Sequence, residues 1–294
     1  MSEVLSLEEK VLEAQEFIRT NLSDSSIPTA MMFSGGKDSV VVRHLLESCG
    51  INHVKYYYMA SGIEGPYLKN YLLEKYPDVE WINLERDLFS EWKHRKYAPY
   101  TVDTDNLKHD NERYIEFRKK GHYCCFLRFK AKAITFKPYT NIIMGVRKTD
   151  IYNTIRYNER IVSHQGKNYY QPIYHFSRQD IYGYIEKYNI EICKDYELFG
   201  TNRTCPICPM RPDYYYYKIL KENFPDIIDK AKNALSYCYD NNPYLQEQFS
   251  SKDEYIECFF DKNKFRKKVY EENKYFIDPE TGLKYSNETG SVVM

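Results

Sequence analysis

Residues 27–46, IPTAMMFSGGKDSVVVRHLL, constrain the fold more than any other stretch of the chain. The apolar run IPTAMMF follows a Ser/Pro turn and has the length of one buried strand. Two glycines then turn the chain, and residues 38–48 return to a helical period. The same alternation recurs. HVKYYYMA reads as a second strand, GPYLKNYLLEKYP as a second helix, VEWINLE as a third strand and TNIIMGV (140–146) as a fourth. Upstream, residues 6–22 place Leu7, Val11, Ala14 and Ile18 on one helical face. Strands alternating with helices predict an α/β fold with a parallel sheet covered on both faces.

The alternation breaks at residues 96–111, a polar, turn-rich segment that reads as a long surface loop of the kind that often serves as a lid. Residues 123–135 have a helical pattern. RIVSHQGKNYYQPI reads as two short strands around a Gln-Gly turn, and SRQDIYGYIEKYN as a helix with a Ser cap. Beyond Cys208 the composition shifts. Residues 213–270 rotate Tyr, Lys and Glu in a mostly helical pattern, and DPETGLKYSNETGSVVM reads as a loose tail or small hairpin. The expected layout is an α/β domain over 1–212 and a helical C-terminal extension over 213–294.

The 294 residues include 42 basic and 42 acidic side chains, so net charge exerts no global pull toward nucleic acid or membrane. Three stretches interleave Lys/Arg with aromatics: residues 93–97, 117–123 and 264–270. They suit phosphate contact and base stacking, or equally a solvated face. The N-terminus is acidic and amphipathic rather than a secretory signal. No apolar run approaches the roughly 20 residues of a membrane span. The expected address is cytoplasmic, and there the eight cysteines are not read as disulfides. Cys49, Cys193, Cys238 and Cys258 are isolated and read as small buried apolar residues. Cys124, Cys125, Cys205 and Cys208 are grouped.

SGGKDS sits where a strand hands over to a helix. Glycines let backbone N–H groups turn toward an anion. The helix N-terminus adds partial positive charge, Lys37 a full one, and Ser34 and Ser39 hydroxyl donors. A Walker A loop is excluded, because Met31 stands five positions before Gly36 and Asp38 follows Lys37. The G-x-G-x-x-G fingerprint also fails. The string resembles the PP-loop of the ATP pyrophosphatase superfamily, S-G-G-x-D-S, matched by Ser34, Gly35, Gly36, Asp38 and Ser39. That resemblance implies ATP split to AMP and pyrophosphate, with Asp38 near Mg²⁺. It also implies an adenine-nucleotide α-hydrolase-like (Rossmann-like) core.

Four thiolates from two segments can bind zinc or an iron–sulfur cluster. An adjacent pair is awkward for one tetrahedral zinc and suits a cluster whose irons each take one sulfur; the pair can also simply pack in a helix. CCFLRFK (124–130) and CPICPMRP (205–212) are similar to segments of the phosphoadenylyl-sulfate (PAPS) reductase family, in which adenylyl-sulfate reductases carry [4Fe–4S]. The resemblance implies Cys124, Cys125, Cys205 and Cys208 as ligands. GVRKTD (145–150) resembles the family's Gly-x-Arg stretch, which makes Arg147 the residue that faces the anionic part of the substrate. YQPIYHFSRQDIYGYIEKYNI resembles a further family segment, and the likeness spans about 25–212. Arg128 and Lys130 place positive charge beside the thiolates, where it tunes potential or holds an anion.

Two departures separate the chain from the reductases of that family. Its loop keeps the ATP-cleaving form, and its tail lacks the nucleophilic cysteine; the last one, Cys258, lies in an apparent helix. A thiol that attacks sulfate sulfur needs an exposed position and a low pKa. Together these point to an adenylating, iron–sulfur-dependent sulfurtransferase. It would use ATP with Mg²⁺, a sulfur-donor protein, and an acceptor that is either nucleic acid or a small molecule. The alternatives are a sulfonucleotide reductase acting on adenylyl sulfate or PAPS with a thiol reductant protein, and a nucleotide-binding module without chemistry.

Overall fold

A computed structural model of the chain describes residues 5–83, 86–98, 138–150, 159–200, 206–207, 214–261, 275–277 and 284–286. In chain order the elements are α1 (Leu7–Leu22), β1 (Thr29–Met32), α2 (Lys37–Ser48), β2 (Lys55–Met59), α3 (Pro66–Lys75), β3 (Glu80–Ile82), α4 (Leu88–Arg95), β4 (Asn141–Ile143), β5 (Ile161–His164), β6 (Lys167–Tyr170), α5 (Arg178–Lys187), α6 (Asp195–Phe199), α7 (Tyr214–Asn223), α8 (Pro225–Asp240), α9 (Pro243–Gln248), α10 (Lys252–Phe260), β7 (Tyr275–Ile277) and β8 (Lys284–Ser286). They fall into two compact units, Met1–Leu84 with Lys130–Thr204, and Glu85–Phe129 with Cys205–Met294.

The first unit is built on a six-stranded sheet of order β3-β2-β1-β4-β6-β5. The pairs β1–β2, β1–β4, β2–β3 and β4–β6 are parallel, and only the edge pair β5–β6 is antiparallel. This is the α/β, Rossmann-like core expected from the strand–helix alternation, with an antiparallel hairpin added at one edge. Gln165 (φ +50) and Gly166 (φ +73) form the hairpin turn, and two consecutive left-handed residues match the twist of the strands they join.

Side chains alternate across the sheet, as the period of a strand requires. Met31, Tyr56, Tyr58, Ile143 and Tyr170 enter one core with Val11, Ile18, Val41, Leu45 and Ile181 from the helices. Ala30, Tyr57 and Ile142 point the other way and are also buried. Each large apolar side chain taken out of water in the main core contributes roughly 2 kcal/mol.

Caps determine where the covering helices begin. Ser6 and Glu9 close a capping box on α1: the Glu9 N–H donates to Ser6 Oγ at 3.3 Å, and the Ser6 N–H to Glu9 Oε2 at 2.7 Å. Ser177 and Asp180 repeat the device on α5. Lys10 Nζ lies 2.7 Å from Asp180 Oδ2, which ties α1 to α5. Pro66 begins α3, where its missing N–H is no loss.

In the second unit α4 packs on α8. Trp92 is buried at the edge of the Phe89 and Phe259 rings, and the Cys238 thiol donates to the Trp92 carbonyl at 3.4 Å. The strand–helix alternation does not call for α4. Its own signal is the Asp87 cap, which accepts from the Ser90 N–H at 2.7 Å, followed by Leu88, Phe89 and Trp92 on one face. The helical pattern over 213–270 appears as α7 to α10 within the described residues, and the tail stretch contains β8, which pairs with β7 just ahead of it. The patterns at 99–111 and 123–135 lie outside the described residues. No described helix is long and apolar enough to cross a membrane.

Candidate phosphate-binding site

β1 lies between β2 on one side and β4 on the other, so the chain leaves its carboxyl end where the strand order reverses. Ligands of open α/β sheets bind outside the carboxyl ends of the strands at such a point. Ser34, Gly35 and Gly36 follow β1 there, and α2 begins at Lys37. Gly35 has φ +69, a conformation that L side chains rarely adopt, and a Cβ there would stand 2.8 Å from Leu72 Cδ2. Gly36 caps α2 without a side chain, so the helix begins on backbone N–H groups that the helix itself cannot satisfy.

Hydroxyls line this turn. Ser34 Oγ lies 3.1 Å from Ser39 Oγ and accepts from the Gly36 N–H at 3.2 Å. Ser39 Oγ donates to the Gly36 carbonyl at 2.8 Å. The Lys37 N–H donates to the Tyr196 hydroxyl, carried by α6, at 2.8 Å.

The charged residues form a chain. Lys37 is buried, 8% exposed, and its ammonium pairs with Asp38 Oδ2. Arg147 Nε lies 3.1 Å from Asp38 Oδ1, and Arg147 also holds Asp150 through its backbone N–H and Nη2, both at 2.8 Å. The Arg147–Asp38 contact has the distance of an ion pair without the direction of a hydrogen bond. Among the described residues Asp38 Oδ1 and Arg147 Nε are therefore both buried with no hydrogen-bond partner. Orphaned buried polar atoms are unusual, and a pair of them side by side makes this turn a candidate for an added polar partner such as water or an ion. Gly145 makes the arrangement possible: a Cβ at that position would come within 3.0 Å of the Ser39 backbone N, so the segment after β4 lies directly against the first turn of α2.

The structure thus brings together Ser34, Gly35, Gly36, Lys37, Asp38, Ser39 and Arg147, all residues expected from the sequence. Asp150 and Tyr196 join them without having been singled out. Asp150 had a signal, since it stands three residues after Arg147 in the same GVRKTD string. Tyr196 had none, because 159 positions separate it from Lys37. A second loop at the same edge of the sheet is also organised. After β2, the Glu64 carboxylate accepts from the Ser61 backbone N–H, from Ser61 Oγ at 2.6 Å, from the Gly62 N–H at 3.1 Å and from the Tyr58 hydroxyl at 3.2 Å. One side chain thereby holds a four-residue turn beside the glycine loop.

The proposed cluster residues Cys124, Cys125, Cys205 and Cys208, with Arg128 and Lys130, lie outside the described residues. Among those described, no group of three His, Cys, Asp or Glu side chains is arranged to hold a metal ion. Cys258 is described: it lies in α10, 4% exposed. Cys193 and Cys238 are buried too, and burial pushes both thiols up to about 12. Cys49 is half-buried.

The family model described as "Phosphoadenosine phosphosulfate reductase domain" matches residues 28–199, more than half of the chain. No curated protein sequence matches. Among solved structures, FMN adenylyltransferase from Candida glabrata with FAD and inorganic pyrophosphate is 16% identical, with a TM-score of 0.43 over 67% of this chain and 64% of that one. The match thus spans less than two thirds of the adenylyltransferase. PAPS reductase from Candida auris is 11% identical, with a TM-score of 0.39 over 67% of this chain and 94% of that one. The U34-tRNA thiolase of Methanococcus maripaludis, solved with its [4Fe–4S] cluster, is 13% identical, with a TM-score of 0.39 over 80% of this chain and 81% of that one.

Proposed function

Because the chain belongs to the phosphoadenosine phosphosulfate reductase domain family, we propose that it is an adenylating enzyme that splits ATP into AMP and pyrophosphate and serves a sulfurtransferase reaction. The observation that carries this reading is the glycine loop: Ser34 to Ser39 at the start of α2, capped by Gly36, with Lys37, Asp38 and Arg147 in one chain of charge.

In the proposed reaction an acceptor oxygen attacks the α-phosphorus of ATP, and the bond from that phosphorus to the pyrophosphate oxygen breaks. A sulfur nucleophile then displaces AMP from the adenylated acceptor. The negative charge that develops on the leaving pyrophosphate meets the loop N–H groups and the Lys37 ammonium. Arg147 faces the same anion. Asp38 holds both cations in place and offers a hard oxygen to Mg²⁺. Cys124, Cys125, Cys205 and Cys208 would hold a [4Fe–4S] cluster, with zinc as the alternative occupant, and such a cluster would supply the sulfur chemistry. The sulfur donor is proposed to be a protein and the acceptor a nucleic acid or a small molecule.

The burial of Cys258 inside α10 favours transfer over the reductase reading, whose nucleophilic thiol has to reach the sulfur of a bound sulfonucleotide.

The test is ATP turnover by anaerobically purified protein, with pools of tRNA, DNA and small-molecule acceptors. Labelled ATP is expected to yield AMP and pyrophosphate rather than ADP. Lys37→Ala and Asp38→Asn are each expected to lower the rate by about 100-fold or more. A protein that neither binds ATP nor releases pyrophosphate would sink the proposal.

A further inference from the structure

The short helix α6 reaches the phosphate loop through Tyr196. Its hydroxyl accepts from the Lys37 backbone N–H at 2.8 Å. That N–H opens α2 and belongs to the set an anion at the loop would take. A hydrogen-bonded turn carries the ring: the Tyr196 N–H donates to the Cys193 carbonyl at 3.0 Å, and the Gly200 N–H donates to the Tyr196 carbonyl at 3.0 Å. Cys193 and Asp195, which lead into this turn just before Tyr196, are buried, and the turn ends on Gly200 in the left-handed conformation. In sequence, Gly200 stands five positions before Cys205.

Resting on the reading of the loop as a pyrophosphate site, we propose that the Tyr196 hydroxyl occupies the place of a phosphate oxygen, and that a bound pyrophosphate group takes the Lys37 N–H from it. Tyr196 is then a specificity residue that raises the affinity threshold of the loop. A neutral hydroxyl satisfies one N–H. A pyrophosphate oxygen satisfies the same N–H and also brings negative charge to Lys37 and Arg147, so charge-assisted bonds outweigh the one that is lost. Anions too weak to engage both cations do not displace the ring. The Gly36 N–H is held the same way, by Ser34 Oγ at 3.2 Å. Asp38 Oδ1 and Arg147 Nε beside it are buried without hydrogen-bond partners. Displacement of Tyr196 loosens the α6 turn.

The test is calorimetric titration of the full chain with inorganic pyrophosphate and with ATP, comparing wild type with Tyr196→Phe. Removing one competing hydrogen bond is expected to tighten both ligands by about fivefold. Equal or weaker binding by the variant, with clear binding by wild type, overturns this proposal and leaves the loop assignment standing. Absence of binding to either protein overturns both. A second measurement needs no variant: amide exchange of wild type at residues 197–200 is expected to rise when pyrophosphate saturates the loop, and unchanged or slower exchange there counts against displacement.

Discussion

Gly35 shows how much of the loop rests on one residue. Its φ of +69 suits glycine, and the space where a Cβ would stand is filled by Leu72 Cδ2 at 2.8 Å and Leu68 Cδ1 at 3.1 Å. Alanine there would meet both backbone strain and contact with α3. Gly35→Ala is expected to destabilise the protein by about 1–3 kcal/mol, read as a lower urea midpoint with an unchanged slope. Leu72 ends in a flexible side chain and can shift, so the strained φ sets the lower part of that range. At this scale the sequence was legible wherever chemistry is encoded locally. SGGKDS announces its own turn, and Arg147 was legible through a family string. Tyr196 was not, because its role depends on the packing of α6 against the loop and no nearby residue type encodes that. Gly145 belongs to the same class: nothing in GVRKTD says that its missing side chain leaves room for the first turn of α2.

Among the elements, the capping box on α5 combines a local device with a tertiary one. The Asp180 carboxylate accepts from the Ser177 backbone N–H within its own helix start and from Lys10 Nζ on α1, while the Asp180 N–H donates to Ser177 Oγ. Burial alone would raise its carboxyl, but the Lys10 and Ser177 hydrogen bonds more than offset that and hold it below the ordinary aspartate value. A depressed folded pKa means that the stabilisation is fully present above the unfolded value of about 3.9 and is lost as pH falls through the lower folded value. Asp180→Asn is expected to lower stability by about 1–2 kcal/mol at pH 7. Chemical denaturation across pH should show the difference between variant and wild type shrinking once the pH is below about 4. Helices with such caps were legible in the sequence to within a residue or so: Ser6 and Ser177 stand immediately before α1 and α5 as read. α4 was harder, because Asp87 and Trp92 sit in a short helix whose apolar face is completed by α8, 130 or more positions downstream in sequence. The antiparallel sense of β5 was implicit in the Gln-Gly turn, since a two-residue connection can only reverse the chain.

For the whole molecule, the four grouped cysteines come from two stretches of the sequence, 124–125 and 205–208, that lie far from the glycine loop along the chain. Anaerobic purification is expected to yield about four iron atoms per chain and a broad absorption band near roughly 400 nm. Cys124→Ser and Cys208→Ser should each lower the iron content and leave the proposed ATP affinity of the glycine loop unchanged. Zinc in place of iron would redirect the sulfur chemistry to the alternative metal; no metal at all would remove the cluster from the proposal. The α/β class was legible from alternation alone, because a parallel sheet demands buried runs and intervening helices. The assignment of α4 to the second unit was not, since it depends on which distant helix covers Trp92. The β5–β6 hairpin has a consequence of a different kind. Its turn at Gln165–Gly166 is exposed and leads into the amino end of β6, which runs parallel to β4 and, through it, to β1. It therefore lies at the amino ends of these parallel strands, away from the glycine loop at the carboxyl end of β1, a natural attachment point for a fluorophore or surface tether that leaves the candidate site clear.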